Sequence, residues 1–444
     1  MRYNIPSVLP EGAISKKKKI SKLRKFFRIL GPGIITGAAD DDPSGIATYS
    51  QAGAQYGFGQ LWTALYQLPL LIAIQEACAR IGAVTGRGLA GVVKKHYTKK
   101  VLVAMVLLVV IANTINIGAD IGAVTAALQL VFNLPFAVYA ILITVIIILL
   151  EVFISYKKYA KILKWLTLTL LAYPVTALIV SQPWGQIFRA TVFPHVEFTF
   201  AFFFLVTGVF GTTISPYMFF WQTSGEVEEE ISGHMLSQKG GQPRLTKKFL
   251  RNLRIDTTMG MFAAEIAQWF IIITTATVLF SNGVTNINTA ADAAKALEPL
   301  VHSFPNSGQL AKDIFAVGVV GLGFLGIPVL AGSSAYAMSE AFGWKEGLYK
   351  KFSKAKQFYG IIIISTLVGF LFNFLGVNPM KALVFTAVFN GVAAVPLIFL
   401  ITKINSNEEI LGEHKGSKLS QTVLWITFIV MGLSALSLFY TLLF

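Results

Sequence analysis

The stretch GAADDDPSGIATYSQAGAQYG, Gly37 to Gly57, sets three consecutive carboxylates, Asp40, Asp41 and Asp42, before Pro43 in a segment otherwise apolar enough to lie in a membrane. An unpaired carboxylate at mid-bilayer costs several kcal/mol. A cation, either substrate or counter-charge, therefore belongs beside Asp42. A second stretch, GVFGTTISPYMFF, Gly208 to Phe220, carries Pro216 at its middle and the hydroxyls of Thr212, Thr213, Ser215 and Tyr217 around it. Proline removes a backbone donor and clashes with the preceding turn, and glycine weakens a helix further. Both stretches read as broken helices, which a bilayer tolerates only where protein or a water-filled cavity covers the irregular backbone. Paired interruptions at corresponding places in two halves point to a transporter site built on inverted repeats.

The elements that hold these two breaks follow from composition. The 444 residues are 55% hydrophobic and 13% charged, with a mean hydropathy of +0.65. That is more apolar side chain than one soluble core of this length needs. Windows able to span about 30 Å of hydrocarbon lie near 29–56, 60–86, 101–132, 136–155, 161–181, 199–230, 256–281, 313–342, 357–377, 380–402 and 420–444. The expected protein is an all-α integral membrane protein with eleven transmembrane helices. Residues 1–28 form a basic tail, 29–181 a first repeat of five spans, 199–402 a second, and 420–444 an additional span.

The net charge of +15 does not indicate nucleic acid, because the basic residues fall between apolar stretches. The tail and alternate loops hold 32 of the 37 Lys and Arg residues, the run Lys16 to Lys19 among them. The positive-inside rule then predicts a multi-pass protein of the cell membrane with a cytoplasmic N-terminus and an outside C-terminus. One cysteine, Cys78, excludes a disulfide framework, and all five histidines fall in or beside predicted loops. With no nucleotide loop, zinc motif or nucleophile elbow in the chain, neither an enzyme nor a cofactor is expected.

The run GPGIITGAADDDPSGIATYSQAGAQYG resembles the first helix of the Nramp metal-ion transporters, whose signature there is Asp-Pro-Gly-Asn. ARIGAVTGRGLA matches that family as well, and GTTISPY stands where it has Met-Pro-His in the sixth helix. The resemblance implies a LeuT-type fold, a 5+5 inverted repeat with helices 1 and 6 broken, and uptake of divalent metal by alternating access. The family's metal-binding aspartate maps to Asp42, its asparagine partner to Gly45, its methionine to Ser215 and its histidine to Tyr217. The acidic pair that the family links to proton movement reduces to Asp120 with Ile117 at the other position, and the ninth span, Phe358 to Phe374, has no arginine.

Without sulfur or imidazole the remaining donors are hard, an oxygen set suited to magnesium or manganese. Small side chains at Gly45 and Ser215 predict a wide, wet pocket. The same donors, with half-helix N-termini aimed at them, also suit a bicarbonate-like oxyanion moving with sodium. Ser333 and Ser334 in the eighth span resemble the hydroxyl pair of a sodium site in LeuT-fold relatives, although two serines also ease helix contact. Any Ser or Thr here is equally able to bond a carbonyl one turn back. Asn390 could reach the site as a neutral ligand, while Asp120 and Glu265 could line a permeation path. Glu76 and Arg80, spaced i, i+4, pair with each other. Glu151 and Asp256, near span ends, are expected within reach of water.

Overall fold

The computed structural model describes residues 31–154, 170–237, 243 and 245–443. Among these, every regular element is helical: α1 Pro32–Asp40, α2 Pro43–Tyr56, α3 Trp62–Thr85, α4 Leu89–His96, α5 Lys99–Gln129, α6 Phe136–Phe153, α7 Ala172–Ile179, α8 Trp184–Val192, α9 Phe200–Thr213, α10 Pro216–Ser232, α11 Lys247–Val278, α12 Ser307–Phe342, α13 Lys356–Phe372, α14 Pro379–Ser406 and α15 Lys418–Leu443, besides short helical turns. Eight stretches among the described residues are long and apolar enough to cross a membrane, with α9 and α10 counted as one. The 17-residue α13 is also apolar. The basic tail with Lys16 to Lys19, residues 161–169 of the fifth span and the loop Lys157 to Lys164 lie outside the described residues.

Helix ends follow local chemistry. The Thr98, Thr246 and Asn378 side chains accept from backbone N–H groups at the starts of α5, α11 and α14. Gly86 and Gly343 close α3 and α12 in the left-handed conformation, φ 60° and 75°, which glycine adopts without a Cβ clash. In the loop between α11 and α12 the run from Thr289 forms a short helix with a reciprocal capping box between Thr289 and Asp292.

The breaks stand where the prolines predict. Pro43 opens α2 after Asp41 and Asp42, and Pro216 opens α10 after Ile214 and Ser215. At such an N-terminal position the missing N–H costs nothing. Behind the first break, α1 lies against α11 with almost no side chain between the backbones: a Cβ on Gly37 would stand 2.3 Å from the Gly260 carbonyl oxygen. This contact corrects the expectation for Asp256, which is buried rather than wet. Its carboxylate accepts from Gly31 N and Gly33 N, each at 2.7 Å, and caps the start of α1 from the neighbouring helix. Glu151 is likewise buried, because it faces the bundle from α6. Glu76 pairs with Arg80 as expected and also accepts from Arg254 Nε at 3.4 Å.

Candidate functional site

Asp42 has two jobs that its two oxygens divide. It is the N-cap of α2, and Oδ1 accepts from Ser44 Oγ at 2.6 Å and Gly45 N at 3.0 Å. Oδ2 faces the break, where Asn116 Nδ2 donates to it at 3.2 Å. The Tyr217 hydroxyl lies 3.5 Å from Oδ2 but has a shorter bond, 2.8 Å, to the Ala39 carbonyl, so its one proton ties α10 to the end of α1. Gly326 lets α12 close against this corner: a Cβ there would stand 2.9 Å from Asp42 Cβ and 3.7 Å from Asp120 Oδ2. Asp120 therefore stands beside Asp42, fully buried with neither oxygen partnered.

The second break is occupied with itself. Ser215 Oγ donates to the carbonyls of Gly211 at 2.6 Å and Thr212 at 2.9 Å, and Thr213 Oγ1 to those of Val209 and the Gln268 side chain. Thr212 Oγ1 meets Ser44 Oγ at 3.1 Å, the link between the two breaks. Tyr49, Thr213, Gln268 and Thr63 form a continuous polar chain through α2, α9, α11 and α3. The wide, wet pocket expected around Gly45 and Ser215 is absent, since Asp42, Ser44, Thr212, Thr213, Ser215 and Tyr217 are all buried. Beside Gly45 the Asp40 carbonyl, the Tyr49 ring and Thr212 Oγ1 take the room that a side chain would occupy.

Other expected residues are placed less centrally. Ser333 Oγ donates to Val329 and Tyr217 carbonyls, and Ser334 Oγ to that of Leu330, so helix packing accounts for both hydroxyl protons. Asn390 is buried beside the α9–α14 contact with both amide atoms unpartnered and no hydrogen bond to Asp42. Glu265 is buried with both oxygens unpartnered and neighbours Asp41. Asn116 was missed by sequence reasoning. Its signal was present: Asn113, Asn116 and Asp120, spaced i, i+3, i+7, put a polar stripe on one face of an apolar helix.

Two cavities flank the closed site. One of about 680 Å³ is lined mainly by apolar groups from α5, α9, α13 and α14, with Gln51 and Gln55 of α2 beside them and Lys381 its one charged lining residue among the described residues. Thr386 in its wall donates to Asn116 Oδ1 at 2.8 Å, and Asn116 in turn contacts Asp42. The other, about 710 Å³, opens on the face of the basic loops and is lined by Arg87, Lys94, Glu228, Glu340, Glu346 and others. There Glu340 accepts from Gly91 N and Ser224 Oγ, and Glu228 from Leu348 N and the Tyr336 hydroxyl, which fastens α4, α10 and α12 together. Burial, then Glu340 and Glu228 against Lys350 and Lys94, pushes the Glu346 carboxyl up to about 9.

Residues 33–441 match the model of the family described as natural resistance-associated macrophage protein-like. The divalent metal cation transporter MntH of Listeria innocua serovar 6a is 24% identical over 451 residues, covering 99% of this chain and 96% of its own. The transporter of the same name from Yersinia pestis (strain Pestoides F) is 25% identical over 423 residues, covering 93% and 95%. Among solved structures, the Eremococcus coleocola manganese transporter in complex with an aromatic bis-isothiourea substituted compound superposes with a TM-score of 0.75 at 16% identity, over 96% of this chain and 88% of that one. MhsT in complex with L-phenylalanine gives 0.59 at 12% identity, over 92% and 98%.

Proposed function

The chain belongs to the natural resistance-associated macrophage protein-like family and has the LeuT-type fold with helices 1 and 6 broken, and on that premise we propose that it carries a divalent metal cation across the membrane, favouring hard ions such as magnesium or manganese over soft transition metals. The observation that carries this reading is Asp42, a buried carboxylate whose Oδ2 is directed at the break and held by a single neutral amide. Its surroundings are hydroxyls, amides and further carboxylates, with Ser215 and Tyr217 where a thioether and an imidazole would favour softer metals.

Alternating access is supported by a closed centre between two cavities, one of which reaches Asn116 and Asp42 through Thr386. In this scheme residues 29–181 and 199–402 act as the two repeats, and the cavity beside Lys381 faces outside. The N-terminus is then cytoplasmic and the C-terminus outside. A second reading, carriage of a bicarbonate-like anion with sodium, has one observation in its favour: among the described residues the only charge lining the Lys381 cavity is positive. Against it stand the carboxylates at the break.

Uptake into proteoliposomes decides between them. Two positive charges per cycle should make magnesium or manganese uptake faster at inside-negative potential, since 100 mV is worth about 2.3 kcal/mol per elementary charge crossing the field. Absent metal uptake, together with sodium-dependent bicarbonate uptake in the same vesicles, overturns the cation reading.

A further inference from the structure

Asp120 is the one carboxylate on α5, and it is 0% exposed with neither side-chain oxygen partnered. Packing against α12 fixes where it stands. The two helices run antiparallel in a register marked at three levels. Asn113 Nδ2 donates to Leu330 O and Ser334 Oγ, each at 3.0 Å. A Cβ on Gly326 would stand 3.7 Å from Asp120 Oδ2, and one on Gly323 would stand 2.2 Å from Val124 Cγ2. The same carbon on Gly326 would lie 2.9 Å from Asp42 Cβ, so Asp42 and Asp120 meet at one glycine of α12. Asn116 fixes the pair a second time: it sits one turn before Asp120 on the same face of α5, and its amide donates to Asp42 Oδ2 at 3.2 Å. Asp40 and Asp41 are not among the atoms that crowd Gly326.

Buried polar atoms without partners are rare in native folds, and each such group calls for an explanation. Among the described residues no lysine, arginine or histidine forms an ion pair with Asp42 or Asp120. Charge then decides between one carboxylate and two. A divalent ion held by Asp42 alone leaves a positive charge uncompensated inside the membrane, which is costly. Asp42 and Asp120 together cancel it. Magnesium is bound through one or two carboxylates while it keeps several waters, and manganese takes the same oxygen ligands. Among the described residues no three acidic or other metal-ligating side chains converge to chelate a metal ion. A pair of carboxylates, with water or backbone oxygen at the remaining positions, agrees with that.

We propose that Asp120 is the second carboxylate of the substrate site, meeting Asp42 at Gly326 and closing with it on a partly hydrated divalent ion. This rests on the metal reading of Asp42 above and adds to it a ligand from α5. Asn116 is the positioning residue of the pair, since its amide holds Asp42 Oδ2 from the same helix face that carries Asp120.

Thermal unfolding of the purified full-length protein, stripped of metal with a chelator and titrated with manganese or magnesium at fixed pH, tests this. In the unaltered protein either ion should raise the unfolding midpoint saturably. Asp120→Asn keeps the shape and removes the charge. Without metal its midpoint should equal or exceed that of the unaltered protein, because a buried unpartnered carboxylate is gone. The manganese concentration for half the shift should rise by about tenfold or more, roughly 1.4 kcal/mol for each decade. Asp120→Glu, which restores the charge, should recover part of that loss. A purely structural role gives the opposite pattern, a lower midpoint without metal and an unchanged response to it. Manganese binding kept within about twofold in Asp120→Asn overturns the proposal, and loss in a parallel Asp41→Asn then places the second charge in the break itself. An Asp120→Asn protein that binds manganese normally and loses only the pH dependence of uptake also overturns it, since Asp120 then carries a proton. Those results leave the metal reading standing. An unaltered protein whose midpoint neither ion moves removes that reading, and this one with it.

Discussion

The break between α1 and α2 gathers three carboxylates in consecutive positions, and three of their six oxygens, both of Asp40 and Oδ1 of Asp41, are buried without a partner. The break between α9 and α10 gathers hydroxyls, and these spend their protons on carbonyls three or four residues back or on a neighbouring glutamine. Both interruptions are made by the same device, a proline at the first turn of the following helix. What differs is the balance of unmet demand. The second break satisfies its own freed carbonyls and reaches the first through Tyr217, which donates to the Ala39 carbonyl, and Thr212 Oγ1, which meets Ser44 Oγ, so it acts as a frame. The first cannot neutralise itself, and a carboxylate left unpaired in a bilayer is costly enough that something else must answer it.

If that contrast is right, the largest loss belongs to Asp42. Asp42→Ala removes both the α2 cap and the oxygen facing the break, and metal uptake in proteoliposomes should fall to the level of empty vesicles. Capping alone is worth about 1 kcal/mol, so the variant should still be folded and monodisperse. Asp42→Asn separates the two jobs, because an amide oxygen still caps while the charge is gone. Its uptake should be as low as that of the alanine variant, with a higher unfolding midpoint.

The next largest effect tests how closely the first break is confined. A Cβ at Gly326 would lie 2.9 Å from Asp42 Cβ and must displace one backbone against the other. Gly326→Ala should lower uptake by tenfold or more, in the range of about 1–3 kcal/mol expected of overpacking. Normal uptake would mean that α12 yields easily and that the corner is looser than its geometry.

A smaller effect is expected at Asn116, whose neutral amide supports Oδ2 and accepts from Thr386. Hydrogen bonds to a charged group contribute about 1.5–3 kcal/mol, but water from the neighbouring cavity can replace part of this one. Asn116→Ala should therefore raise the apparent KM for manganese by about five- to tenfold, part of that energy being recovered by solvent, with a smaller change in the maximal rate. An effect as large as that of Asp42→Ala would make Asn116 a ligand in its own right.

The fold was largely legible in the sequence because its signals are strong: apolar windows of spanning length, two prolines with glycine and hydroxyl neighbours, and basic loops in alternation. Asp42 was legible for the same reason, being a charge where charge is rare. Asn116 was harder to see, since one asparagine in a membrane helix is unremarkable until a tertiary contact sets it against Asp42. The expectations for Asp256 and for the wet pocket failed together, through long-range packing. A glycine pair lets α1 and α11 touch, which buries Asp256 as a cap, and the room beside Gly45 is taken by the Tyr49 ring and by Thr212 from the other break.

Ser215 gives the smallest expected effect and the sharpest test of the comparison. Its hydroxyl stands at the break in the position that a thioether occupies in the resembling metal transporters, so it has a claim to be a ligand by location. By geometry it has none, because its proton goes to Gly211 O at 2.6 Å or Thr212 O at 2.9 Å, bonds that only tighten the end of α9. Ser215→Ala should therefore keep manganese uptake within about twofold, a change under ~0.5 kcal/mol typical of a site that makes no critical contact. Ser215→Met adds a soft sulfur without touching Asp42 and should shift competition toward cadmium. Should the alanine variant instead lose uptake by tenfold or more, Ser215 must turn its oxygen to the substrate during the cycle. The second break would then be a source of ligands like the first, and the division between a frame and a binding site would not hold.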